Sequence, residues 1–358
     1  MAAIQLLGMT HYPPFGWNDA SMSGLMQMIL SDPDIPADAK DPANWPDEMQ
    51  AEWSDDKGLA AAPLHRAKLI DGLDRVRADL EAFDPDVILV WGDDQYENFK
   101  EDIVPPFSVL AYGDRTVHPY ATKVGQRFPT YWEGDETDYA VEVKGRPDIA
   151  RELIASLITD EFDVAYAYEP LHDDQLPHAF LNTILFLDHD RRGFPWPIIA
   201  MPINCYGNKV IAAEGGWKPF GVELVLDPPA PSPKRLMHMG AAVARFFQAS
   251  PYRVSIIASS SWSHAFLTDH TWRLRPDTPA DRALYDAMVE GDFTTWEQTT
   301  TDAVVHAGQQ EVLNWFALLG AARELDATLS YSTFVETQIF NSNKVFASWN
   351  VVDGTDAE

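Results

Sequence analysis

The chain has 358 residues, 46% of them hydrophobic and 23% charged, with 26 basic against 55 acidic side chains and a formal net charge of −29. That composition fits one large or two ordinary globular domains with an ample core. The acidic balance argues against nucleic acid and anionic membrane as partners, because both reward Lys and Arg surfaces.

A single cysteine, Cys205, excludes an intrachain disulfide and a Cys-rich zinc site. No window approaches the ~20 apolar residues of a membrane span. The opening residues lack the basic segment and apolar run of a secretory signal. The expectation is a cytoplasmic protein.

Short β-rich runs fall at Ile4–Met9, Val87–Trp91, Phe107–Ala111, Val164–Tyr168, Ile198–Ile203, Val254–Ala258 and Leu329–Val335. Helical patterns alternate with them. In Ala67–Phe83 the residues Ile70, Leu73, Val76, Leu80 and Phe83 recur at three- and four-residue steps and share a face. Pro147 suits the first turn of a helix reaching Glu161, with Ile149, Leu153, Leu157 and Ile158 inward. Leu176–Leu187, Pro233–Gln248, Ala280–Glu290 and Ala303–Glu324 also read as helices. The alternation predicts an α/β fold: one largely parallel or mixed sheet flanked by helices, with ligands at the carboxyl ends of strands.

Three long loops interrupt this order: Gly16–Ala62, Asp114–Arg146 and Gly207–Pro233. Loops of such length in a compact domain are lids or disordered segments. The first carries Trp17, Trp45 and Trp53, which favours docking on a surface. Residues 1–352 read as a single catalytic domain with a lid-like insertion at 16–62, and residues 353–358 as a frayed tail.

The common signatures for dinucleotide, phosphate-loop, zinc-protease and serine-hydrolase chemistry are missing. What remains is the placement of histidines after strands. His11 follows the first strand in Thr10-His11-Tyr12-Pro13-Pro14, either as a metal ligand or as a turn histidine. Gly92-Asp93-Asp94-Gln95-Tyr96-Glu97-Asn98-Phe99 follows the second, as a site segment or as a capped turn. His172 and His178 lie beyond Val164–Tyr168. His264 follows the small-residue run Ser259–Ser263, where it could exchange protons near neutral pH or simply start a helix. Glu311, within the apolar Val312–Leu319 context, is either buried with a partner or metal, or turned to solvent.

Taken together these segments resemble the catalytic-subunit superfamily of class III extradiol ring-cleavage dioxygenases, typified by protocatechuate 4,5-dioxygenase. The resemblance runs from His11 to about Leu319. It is carried by Lys144-Gly145-Arg146-Pro147-Asp148 through Asp163, by His172 with Pro177, by Pro202-Ile203-Asn204, by Ser263-His264 and by Glu311-Val312-Leu313-Asn314-Trp315. It implies His11 and Glu311 as ligands of Fe(II), His264 as the acid/base histidine and His172 as a histidine near substrate or oxygen. It implies a small aromatic diol and O₂ as reaction partners, opened beside the diol. Homo-oligomers are the default for a soluble enzyme.

One position departs from the pattern. Where the family has Asp-His-x-x-x-Phe, this chain reads Asp94-Gln95-Tyr96-Glu97-Asn98-Phe99. That leaves open Gln95 as a weak metal ligand, Asp94 in its stead, His65 from the start of a nearby helix, or a site without iron. A metal-dependent hydrolase or lyase on the same scaffold, and a degenerate non-catalytic homologue, are the alternatives.

Overall fold

The computed structural model describes residues 3–121, 128–132, 138–172 and 175–351. Ten strands occur among them: β1 Ile4–Met9, β2 Val87–Asp93, β3 Ser108–Leu110, β4 Arg115–Val117, β5 Val141–Val143, β6 Ala165–Ala167, β7 Ile198–Ile203, β8 Val254–Ser259, β9 Thr328–Val335 and β10 Lys344–Asn350. The helices are α1 Gly24–Leu30, α2 Ala37–Lys40, α3 Asp47–Trp53, α4 Ala61–Phe83, α5 Pro147–Thr159, α6 His178–Leu187, α7 Gly207–Ala212, α8 Pro233–Gln248, α9 Thr278–Glu290, α10 Phe293–Gln298, α11 Thr301–His306 and α12 Leu313–Glu324. The expected tail at 353–358 lies outside the described residues.

Eight strands form one mixed sheet in the order β6-β3-β7-β2-β8-β1-β10-β9. Its centre, β7-β2-β8-β1, is parallel throughout. β2 is buried at every position, as expected for a strand covered on both faces. The flanks turn antiparallel, where β10 pairs with β1 and β3 with β7. The α/β architecture is the one the alternating pattern predicts. β10 is an addition: the apolar run Val345–Phe346–Ala347 reads as a strand only once β1 supplies a partner.

Local chemistry explains the helix boundaries. Ser232 caps α8 by accepting from Arg235 N, with Pro233 in the first turn. Asp277 caps α9, and Gly291 ends it in the left-handed conformation. On α4 the buried face keeps Leu73, Val76 and Leu80 of the expected row and adds Leu69, while Ile70 and Phe83 are only half-buried. On α5, Ile158 points outward.

The expected helix Ala303–Glu324 is broken. α11 stops at His306, Gly308 adopts φ +66°, and Gln310–Val312 form a 3₁₀ turn before α12. A side chain at Gly308 would sit 2.4 Å from Thr268 Oγ1, so only glycine fits both the conformation and the space. The carbonyl freed there accepts from His264 N at 2.8 Å, which ties the His264 loop to the Glu311 turn. α12 is buried from Leu313 to Ala322, packed between α8 and the central strands. Its Trp315 ring lies against Gly8, where a Cβ would be 2.1 Å away.

The 16–62 insertion is mostly helical and docked. Trp17, Trp45 and Trp53 are buried. Arg66 of α4 pairs with Asp19 at 2.7 Å and donates to the carbonyls of Phe15 and Trp17. Glu52 accepts from Thr337 Oγ1 and from the backbone of Gln338 and Ile339.

Candidate active site

The carboxyl ends of β1, β2, β7 and β8 stand side by side, with Met9 opposite Ser259 and Asp93 opposite Ile203. Parallel strands deliver their following loops to one edge. His11, Asp93, Tyr206 and His264 therefore meet there, and the turn before α12 brings Glu311 among them.

Glu311 is buried at the centre. His11 Nε2 lies 3.5 Å from its Oε2, and His264 Nε2 lies 3.1 Å from its Oε1. The Tyr206 hydroxyl donates to Oε1, and Ser261 N donates to Oε2 at 3.2 Å. Burial alone would raise this carboxyl. The imidazoles of His264 and His11 and the donated hydrogen bonds outweigh burial and bring it down to about 2.

His11 is fixed by a 2.7 Å contact of Nδ1 with the Ser259 carbonyl, which makes Nδ1 the protonated nitrogen. Nε2 is then left with its lone pair toward the site. Burial lowers its pKa to about 4, so it is neutral at pH 7.

Asp93 ends β2 with no solvent exposure, and its Oδ1 is 3.4 Å from His11 Nε2. Neither carboxylate oxygen has a hydrogen-bond partner among the described residues. Burial, then the nearby Glu311 charge, pushes this carboxyl well above its ordinary range. The first residue of α6 completes the group. The His178 ring packs edge-on to His11 with centroids 5.1 Å apart, and its Nδ1 bonds Glu97 Oε1 at 2.5 Å. Burial would lower His178, but Glu97 overcomes it and raises it to about 9.

Among the described residues, His11, Asp93 and His178 are the one group of three whose ligand atoms lie within 4.8 Å of one another. The donors suit a divalent cation. Both imidazoles have Nδ1 engaged, His11 with the Ser259 carbonyl and His178 with Glu97, and the Asp93 carboxylate has no hydrogen-bond partner among the described residues.

The structure distributes the expected residues unevenly. It gathers His11, His264 and Glu311. His172 is elsewhere: it is partly exposed and bonded through Nε2 to Asp102 at 2.7 Å. Pro177 stands just ahead of α6, and the helix's first residue, His178, faces the site instead. Gln95 lines the cavity, but its Nε2 donates to the Gly215 carbonyl at 2.5 Å. Asp94 is spent as an acceptor for the backbone N–H groups of Glu97, Asn98 and Phe99. His65 lies 3.1 Å from Lys344 Nζ and stacks on Phe340. Asp93 was missed because the strand was expected to end at Trp91. No local pattern marks the continuation of the strand through Gly92 to Asp93; pairing with β7 sets it.

A cavity of about 130 Å³ opens over the cluster, walled by Trp17 and Leu25 of the insertion, by Trp217 and Phe266, and by His178, His264 and Glu311. A larger cavity of about 310 Å³ shares Gly216, Trp217 and Phe266 with it.

Residues 215–347 match the family described as the catalytic LigB subunit of aromatic ring-opening dioxygenase. Over that segment the chain is similar to the catalytic subunits of ring-opening dioxygenases, in line with the resemblance seen in the sequence. The matched segment holds His264 and Glu311, while His11, Asp93 and His178 come from outside it. A curated protein of Xanthobacter autotrophicus named 2,3-dihydroxyphenylpropionate/2,3-dihydroxicinnamic acid 1,2-dioxygenase is 26% identical over 203 residues, covering 57% of this chain and 51% of that one. A protein of the same name from Cupriavidus necator is 22% identical over 317 residues, covering 74% of this chain and 87% of that one. The chain thus spans about half the length of the first relative and most of the second. A solved structure of an uncharacterised Escherichia coli K12 protein aligns at TM-score 0.43 and 12% identity over 79% of this chain and 92% of that one, a likeness too low to carry an argument. No helix among the described residues is long and apolar enough to cross a membrane.

Proposed function

We propose that the chain is a cytoplasmic, Fe(II)-dependent extradiol dioxygenase that opens a catecholic ring beside its two hydroxyls, adding both atoms of O₂. The observation that carries this reading is the pair of imidazoles, His11 and His264, on opposite oxygens of one buried Glu311 beneath a cavity with aromatic walls. When bound, Fe(II) supplies Lewis acidity for the diol and redox chemistry for O₂.

The chain's own residues do the rest. His11 and Glu311 hold the metal side of the site. His264, held at the site by its Nε2 contact with Glu311 and with Nδ1 unpaired among the described residues, takes a proton from a substrate hydroxyl and gives one back as the ring opens. Tyr206 keeps Glu311 oriented through its hydroxyl. Trp17, Leu25, Trp217 and Phe266 hold the ring and exclude water, and the adjoining larger cavity takes its substituent. Residues 1–352 act as one catalytic unit, with 16–62 as a lid supplied in cis. The chain assembles as a homo-oligomer, which light scattering tests directly.

The deciding experiment loads the protein anaerobically with Fe(II), adds a panel of catechols, and follows O₂ uptake and a coloured ring-opened product. Absence of O₂ uptake with every catechol refutes the reaction. Turnover without O₂ would instead assign a metal-dependent hydrolase or lyase on this scaffold. Trp17→Ala tests the lid: KM should rise several-fold, and unchanged kinetics would remove Trp17 from that role.

A further inference from the structure

The chain lacks the histidine expected after β2, and none of the three side chains considered as its substitute is free. Gln95 is bonded to the Gly215 carbonyl, with its Oε1 3.5 Å from the Tyr206 hydroxyl. Asp94 caps the turn that follows it. His65 is held beside Lys344. Asp93 is the opposite case. It is fully buried, its two oxygens are without hydrogen-bond partners among the described residues, and it stands 3.4 Å from Nε2 of His11. A buried carboxylate without partners is costly unless a cation pairs with it. A second buried carboxylate, Glu311, shares the same centre, and each raises the electrostatic cost of the other.

We propose that Asp93 is a metal ligand and takes the place of the missing histidine, with the cation held between Asp93, His11 and His178 and the Glu311 carboxylate at its side. This rests on the metal-dependent reading above. His178 suits the set because Glu97 occupies Nδ1 and leaves Nε2 as donor, the arrangement by which carboxylates orient metal-binding imidazoles. The ring-opening family pattern places its second donor on the loop after β2. Here the donor has moved back onto the last residue of the strand, and Gln95 has become a strut for the loop at Gly215.

The test uses the full chain stripped of metal and titrated with Mn(II), without catechol or O₂. Free Mn(II) is read by electron paramagnetic resonance, and thermal unfolding is measured with and without the ion. Asp93→Asn should weaken binding on the order of 100-fold or more and abolish the metal-dependent rise in Tm. Gln95→Ala should leave binding close to that of wild type, because the Gln95 amide is turned to the Gly215 carbonyl. Equal affinity in wild type and Asp93→Asn, or an equal loss in Gln95→Ala, overturns the assignment. If Asp93→Asn does not fold, anomalous scattering from wild-type crystals soaked in Mn(II) decides. An ion within about 2.5 Å of an Asp93 oxygen supports the proposal, and one beyond about 3.5 Å refutes it. Because no substrate is present, Asp93-dependent binding without ring opening would refute only the reaction, and ring opening retained in Asp93→Asn would refute only this ligand.

Discussion

Asp281 of α9 offers a sharp test of how the site is held in place. It is fully buried and accepts Ser263 N on both oxygens at 3.0 Å, Gln309 Nε2 at 2.8 Å and Asn343 Nδ2 at 2.9 Å. Ser263 precedes His264, and Gln309 belongs to the turn that leads into Glu311, so one carboxyl braces both loops. Asp281→Ala leaves three buried donors without an acceptor, each costing about 1–3 kcal/mol. Removing a buried carboxylate returns part of that, so we expect a net loss of about 3 kcal/mol at pH 5. The pH dependence carries more information. Burial raises this carboxyl from 3.8 to about 7. Between those values the folded state binds a proton that the unfolded chain has released, so wild-type stability falls as pH rises through the window. The slope is at most about 1.4 kcal/mol per pH unit. The variant lacks this component, so its deficit relative to wild type should shrink from pH 5 to pH 8. Urea unfolding of both proteins at the two pH values is the assay. A deficit below about 1 kcal/mol at pH 5, or one that grows toward pH 8, refutes the reasoning.

Three further predictions follow from the packing and the site. Gly8→Ala places a methyl 2.1 Å from the Trp315 ring, so it should cost about 2–4 kcal/mol and lower Tm measurably by calorimetry. His178→Ala should remove most metal binding and turnover, whereas His172→Ala, at a partly exposed pair with Asp102, should leave both within about 3-fold. Reversed outcomes in metal analysis and O₂ uptake would reassign the second histidine. Lys344 is fully buried against Tyr12 and His65, and burial holds its amine well below the ordinary lysine value. The unfolded chain therefore binds a proton that the folded chain excludes, and wild-type stability falls as pH drops from about 10 toward 7. Lys344→Met should lose that component, gaining on wild type at pH 7 compared with pH 9.5 in urea midpoints.

The residues of the site were legible to different degrees, for physical reasons. His11 was visible because two prolines fix the chain leaving β1. His264 was visible because a run of small residues separates it from β8. Glu311 was visible as a charge in apolar context, but the expected continuous helix hid the turn that aims it. Gly308 breaks that helix in a conformation the 3.6-residue period does not encode. His172 and His178 could not be told apart by spacing from the strand, because the start of α6 after Pro177 decides which of them faces the site. Asp93 looked like turn chemistry because Asp is common after strands.

Apolar periodicity, proline and glycine punctuation and the order of strands and helices determine an α/β chain with histidines at strand ends. Those signals are local and arise from backbone geometry and burial within one element. Which strand is neighbour to which, that β10 closes antiparallel on β1, and that β2 runs on to Asp93 were decided only when the sheet assembled. The electrostatics belong to the same level. A carboxylate on a strand end is ordinary in the unfolded chain. It becomes a carboxyl without hydrogen-bond partners among the described residues, beside His11 and Glu311, only after the sheet and α12 have removed water from all three.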